Sequence, residues 1–104
     1  MSQEQTRTTA EPGTKIREEL REPPLFRVLL LNDDYTTMEF VIYVLETIFH
    51  KSPADAMRIM LHVHRNGQGM CGLFPEEIAE MKVLAVHELA RKNEFPLKCV
   101  MEKE

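Results

Sequence analysis

Three consecutive polar residues, Asn32, Asp33 and Asp34, stop an apolar run at Leu31 and stand directly before a helical pattern (LLLNDDYTTMEFV, residues 29–41). Adjacent carboxylates repel one another and offer no packing, so the chemistry they suit is that of an anionic rim that meets a cation. Two apolar patches accompany them. Met38 and Val41 stand three apart at the start of the following helix, and Met60, Val63 and His64 share one face of a later one. Methionine is unbranched and adaptable, so the set describes a recess for a ligand with a cationic head and an apolar body. Each pattern also has a plainer use. The four apolar residues at helical spacing suit an ordinary core, Asn32-Asp33-Asp34 suits a solvated loop or cap, and His64 suits a structural histidine.

Catalysis has weaker support. A covalent mechanism needs a nucleophile, a base and an orienting group. Neither Cys71 nor Cys99 has an evident histidine partner, and the chain has no GxSxG and no glycine-rich phosphate loop. His62 and His64 are two apart on a helix and point to different sides, so they do not chelate together. With no CxxC or Cys/His spacing, the cysteines read as buried, reduced thiols. The expectation is a protein that is not an enzyme and holds no metal or cofactor.

The 104 residues carry a net charge of −4, with 43% hydrophobic and 29% charged side chains, as in one globular domain. No basic stripe is present, which argues against nucleic acid. No apolar run approaches the roughly 18 residues of a membrane span, and the N-terminus lacks a basic start followed by an apolar stretch. A cytoplasmic protein free of membrane is expected.

Residues 1–24 are polar and read as a disordered N-terminal extension, in which IREEL (residues 16–20) could form a helical turn on a partner. Pro23-Pro24 closes it. FRVLLL (residues 26–31) reads as a mostly buried strand. Thr36-Thr37-Met38-Glu39 fits a capping box, with Thr36 as the cap and Glu39 reaching back to it. The helix over 37–50 is apolar on more than one face and should be sandwiched. Ser52-Pro53-Ala54-Asp55 opens a second helix that stops at Asn66-Gly67. A strand follows over 69–74. A third helix runs from Pro75-Glu76-Glu77 to about 93 with Ile78, Met81, Ala85 and Leu89 as its core stripe, and LKCVM (residues 97–101) closes the chain as a strand. The order β-α-α-β-α-β predicts a small α+β sandwich in residues 25–104, a three-stranded antiparallel sheet with three helices.

NDDYTTMEFV (residues 32–41), MLHVHRNG (residues 60–67) and FPLKC (residues 95–99) resemble the motifs of the ClpS family, adaptors that deliver substrates to the bacterial AAA+ unfoldase–protease ClpA–ClpP. The likeness spans residues 24–104 in unbroken order. It implies the fold shared with the C-terminal domain of the ribosomal stalk protein. It also implies recognition of a free N-terminal Leu, Phe, Tyr or Trp, the N-degron of the substrate.

Residue by residue, the resemblance implies that Asn32 and His64 bond the substrate's α-amine. Asp33 faces that ammonium, and Asp34 lies beside the next backbone unit. Thr36 sits at the helix start. Met38, Val41, Met60, Val63 and Leu97 wall the apolar pocket, with Met38 excluding β-branched side chains. Glu77 and Lys82 on the third helix would touch the N-terminal domain of ClpA; on charge alone both also suit a solvated surface. The extension would enter the unfoldase pore during delivery, and the protein would act as a monomer. Thr37 stands where many members have Pro, which suits a first helical position equally well. His62 stands where others have a small residue, and its helical position keeps it out of the pocket. The alternative is a small module that regulates a AAA+ unfoldase without binding degrons.

Overall fold

The structure, a computed structural model, describes residues 23–104. The expectations for the extension and its IREEL turn lie outside the described residues.

The central strand β1 (Leu25–Leu31) is a nearly continuous apolar run, interrupted only by Arg27, and buries Val28, Leu29 and Leu30. It pairs antiparallel with β2 (Gln68–Pro75) on one side and β3 (Lys98–Lys103) on the other, giving the order β2-β1-β3. The β1–β2 register slips between Val28 and Leu29, which face Gly72 and Met70, so Cys71 is an extra residue in β2. The bulge turns both Cys71 and Phe74, three apart, toward the core. Three helices, α1 (Met38–Thr47), α2 (Pro53–Asn66) and α3 (Glu76–Lys92), complete the β-α-α-β-α-β order expected. Val28 and Leu30 join Val44, Leu45, Ile59, Val86 and other helix residues in one core.

The cap of α1 is Thr37, not Thr36. Its side chain accepts the Phe40 amide at 3.1 Å, which leaves Glu39 at the second helical position, unable to close the expected box. Thr36 is held by Asp33 instead. The helix stops at Thr47 rather than at residue 50, because the chain reverses at His50, whose φ is 56°. Nor is α1 enclosed on all sides: Phe40, Val41, Val44 and Leu45 are buried, but Tyr43 is exposed. For α2 the sequence signals hold: Ser52 accepts from the Asp55 amide, Pro53 is the first residue, and Gly67 terminates the helix at φ 89°, open to glycine without strain.

The core stripe of α3 is displaced by one residue from the expected one. Ala79, Val86 and Ala90 are buried, whereas Ile78 and Met81 are exposed, Met81 by 67%. Leu89 packs against the core as expected and Ala85 is half-buried, so it is the first half of the expected stripe, Ile78 and Met81, that faces outward. Leu97 precedes β3 and does not belong to it.

Cys71 and Cys99 lie in the two outer strands as buried free thiols. Burial pushes both thiols up, Cys99 to about 12, and the neighbouring Cys99 adds to the effect at Cys71. They remain protonated and inert at neutral pH.

Candidate functional site

A cavity of about 210 Å³ opens where the end of β1 meets the start of α1 and the last turns of α2. This is below the ~300–1,000 Å³ of drug-sized pockets and suits a single side chain. Asn32, Asp33, Asp34 and Thr36 form its polar side, Met38 and Val41 come from α1, and Met60, Val63 and His64 come from α2.

Two hydrogen-bonded features bring these elements together. The Asn32 amide donates to the Gly67 carbonyl at 2.9 Å, which ties the end of β1 to the C-cap of α2. That bond sets the loop carrying the acids beside the helix turn carrying His64. The second feature is an Asx turn. Asp33 Oδ1 accepts the Tyr35 and Thr36 amides at 2.8 and 2.7 Å, and Oδ2 accepts the Thr36 hydroxyl at 2.7 Å. Burial raises the carboxyl's pKa, but the bonds from Thr36 and Tyr35 outweigh it and hold Asp33 below the usual carboxylate range. Asp33 is therefore an anion at neutral pH and also the clasp of the loop.

Asn32, Asp34 and His64 are exposed, and their side chains make no hydrogen bond among the described residues. They present an amide, a carboxylate and an imidazole to whatever enters. Below them, Val41, Met60 and Val63 are buried and form an apolar floor, while Met38 is 45% exposed at the mouth. The Thr37 cap fixes the first turn of α1 and hence the position of Met38. Behind Val63, β2 runs close to α2: a Cβ on Gly69 would lie 2.7 Å from Val63 Cγ2. Glycine at 69 therefore lets the floor sit where it does.

Nine of the expected pocket and rim residues line this one cavity. Leu97 does not. It is buried in the core just before β3 and lines a different hollow beside Phe95, Pro96 and His87. His62 is likewise absent from the cavity. Thr37, Gly67 and Gly69 support the site without lining it. Of these, Thr37 was legible in principle, since either threonine of Thr36-Thr37 could serve as the cap.

Glu77 is exposed on the first turn of α3. Lys82 is not simply solvated. Its ammonium donates to the Ile48 carbonyl at 2.6 Å and stands 5.9 and 5.7 Å from the ring centres of Phe49 and Phe74. It supplies a cation to the C-terminus of α1, whose own last turn has no basic residue. Among the described residues no helix is long and apolar enough to cross a membrane.

Residues 21–100 match the family model described as ATP-dependent Clp protease adaptor protein ClpS. The ClpS adapter of Maricaulis maris is 62% identical over 92 residues, covering 88% of this chain and 84% of that protein. The adapter of Bartonella henselae is 58% identical over 88 residues, covering 85% of this chain and 80% of its own. Among solved structures, Agrobacterium tumefaciens ClpS2 bound to L-phenylalaninamide superposes with a TM-score of 0.77 at 38% identity, covering 80% of this chain and all of that one.

Proposed function

The chain belongs to the ClpS family of ATP-dependent Clp protease adaptor proteins, and from that premise we propose that the cavity between β1, α1 and α2 grips the free N-terminal residue of a substrate. The observation that carries this reading is the pairing of an exposed polar rim, Asn32, Asp34 and His64, whose side chains bond nothing among the described residues, with a buried apolar floor of Val41, Met60 and Val63. L-phenylalaninamide, which the related ClpS2 binds, is an α-amine attached to a bulky apolar side chain. That is the shape and charge this cavity suits.

A protonated α-amine offers three donors. The Asn32 side-chain carbonyl oxygen, a ring nitrogen of His64 and the acidic side of the loop can take them. Charge-assisted bonds contribute about 1.5–3 kcal/mol each, and burying a Leu or Phe side chain adds about as much. Association opposes this with several kcal/mol of lost motion, leaving a Kd on the order of micromolar, weak enough for a hand-over. An internal Leu has no ammonium, so the rim would be desolvated without a partner.

Delivery to the N-terminal domain of the unfoldase ClpA is assigned to the outer surface of α3. Glu77 is exposed there, alongside Ile78 and Met81. Lys82 is assigned to the same contact, though its ammonium already bonds Ile48. Residues 1–24 act as the delivery extension and residues 25–104 as the binding domain. The protein works as a monomer in the cytoplasm, where the protease it serves would act.

The test is fluorescence anisotropy with a labelled Phe-initiated peptide and its N-acetylated twin. The free peptide binds, the acetylated one does not, and His64→Ala weakens the free peptide by about tenfold or more. Equal affinity for the two peptides would overturn the reading.

A further inference from the structure

Helix α2 separates two recesses. Met60, Val63 and His64 face the first, already described. Arg58, Ile59 and His62 face a second, a hollow of about 290 Å³ whose other wall is formed by Lys51 and by Met70, Cys71 and Gly72 of β2.

The chemistry of this second hollow is of the opposite sign to the first. Lys51 has no carboxylate partner among the described residues. Arg58 makes one long contact, 3.4 Å to Asp55, between two largely exposed side chains. His62 Nδ1 accepts from the Asn66 side-chain amide at 3.1 Å, which leaves Nε2 as an N–H donor. Two cations and a donor thus gather on one side of a chain whose net charge is −4. Ile59 and Cys71 are buried and give the hollow an apolar floor.

The strand that forms the wall is an outer one. In the order β2-β1-β3, β2 has a strand neighbour on one side only. Backbone N–H and C=O groups along the other edge have no ladder partner and can pair with an added strand. The bulge at Cys71 falls within the same wall. We propose that this recess is a second peptide site, which takes an extended acidic segment of a partner protein by strand addition to β2, with the segment's carboxylates meeting Lys51 and Arg58. A free phosphate would use the cations but neither the strand edge nor the apolar floor, so the extended peptide is the better match.

The probe is a fluorescent, N-acetylated and C-amidated peptide of alternating Glu and Val; the acetyl group keeps it out of the α-amine pocket. Saturable binding is expected, weakened by added salt and lowered by about tenfold or more in the double variant Lys51→Glu, Arg58→Glu. Amide resonances of residues 70–73 should shift on titration. The same variant should bind the Phe-initiated peptide as the wild type does, which shows it is folded. The proposal is overturned if the Gln/Val counterpart binds equally, if the double variant keeps wild-type affinity for the Glu/Val peptide, if no saturation occurs, or if pyrophosphate binds at Lys51 and Arg58 and the peptide fails to displace it.

Discussion

Asp33 accepts two hydrogen bonds from Thr36, one from its amide at 2.7 Å and one from its hydroxyl at 2.7 Å. A residue proposed to face the substrate's ammonium is thus also the clasp of the loop that displays Asn32 and Asp34. Removing its charge and removing its shape are different perturbations. Asp33→Asn keeps an acceptor at Oδ1 but puts an NH2 group where Oδ2 accepts the Thr36 hydroxyl, so it should weaken the Phe-initiated peptide and lower the melting temperature in part. Asp33→Ala should weaken the peptide further and lower the melting temperature more, because the Thr36 and Tyr35 amides lose their partner as well. Titration and calorimetry on the same samples separate the two, and equal melting temperatures would show that the turn carries no stability.

The same bonds predict an acid dependence. The folded carboxyl of Asp33 lies below its ordinary value of 3.8, through the bonds from Thr36 and Tyr35 acting against burial. A group depressed in the folded state stabilises the protein above its unfolded value, and that contribution fades as the pH falls through the folded value. The difference in melting temperature between wild type and Asp33→Ala should therefore be constant at higher pH and narrow as the pH drops below 3.8. A gap that widens in acid would reverse the assignment.

Thr37 bonds the Phe40 amide at 3.1 Å and so caps α1. Thr37→Ala should cost about 1 kcal/mol, a fall of roughly 4–8 °C for a domain of this size. Hydrogen exchange at Phe40 should speed up in Thr37→Ala and stay unchanged in Thr36→Val, which loses a bond to Asp33 instead. Peptide affinity should fall in both, since the first turn of α1 carries Met38.

Much of this site was readable from residue types. Asn32-Asp33-Asp34, the i, i+3 pairs Met38/Val41 and Met60/Val63, and His64 declare a polar rim and an apolar wall, and helix geometry alone puts each pair on one face. The element order and the caps at Ser52 and Gly67 follow from equally local chemistry. Three features were hidden because they depend on contacts distant in sequence. On α3, Ala79, Val86 and Ala90 are buried while Ile78 and Met81 are exposed, and which of the two neighbouring stripes faces inward is decided by the elements the helix packs on. The Asn32–Gly67 bond joins residues whose pairing no local pattern shows. Leu97 is an apolar residue next to a strand, and no local pattern tells that it joins the core and lines the hollow beside Phe95, Pro96 and His87.

Glu77 and Lys82 should separate in a stability assay. Lys82 donates to the Ile48 carbonyl and stands over Phe49 and Phe74, so Lys82→Ala removes a charged bond and two cation–π contacts. A loss on the order of 1–2 kcal/mol is expected. Glu77 is exposed and unbonded among the described residues, so Glu77→Ala should stay within about 0.5 kcal/mol of wild type. A weakened unfoldase interaction in Glu77→Ala reports a direct contact. In Lys82→Ala the same loss has to be compared with Lys82→Arg, which keeps the charge near Ile48.

Met38 stands at the mouth of the cavity, 45% exposed, above a floor that is almost fully buried. In the proposed binding mode it lies near the β-carbon of the first residue, where Val and Ile carry an extra branch and Leu and Phe do not. Met38→Ala should therefore raise affinity for Val- and Ile-initiated peptides while leaving Leu- and Phe-initiated ones the same or slightly weaker, as the truncated side chain gives up apolar contact. The informative quantity is the ratio of dissociation constants for Val against Leu, measured for both proteins with peptides identical after the first residue. A ratio unchanged by Met38→Ala would mean that the floor residues Val41, Met60 and Val63, and not the mouth, set the shape that the cavity accepts.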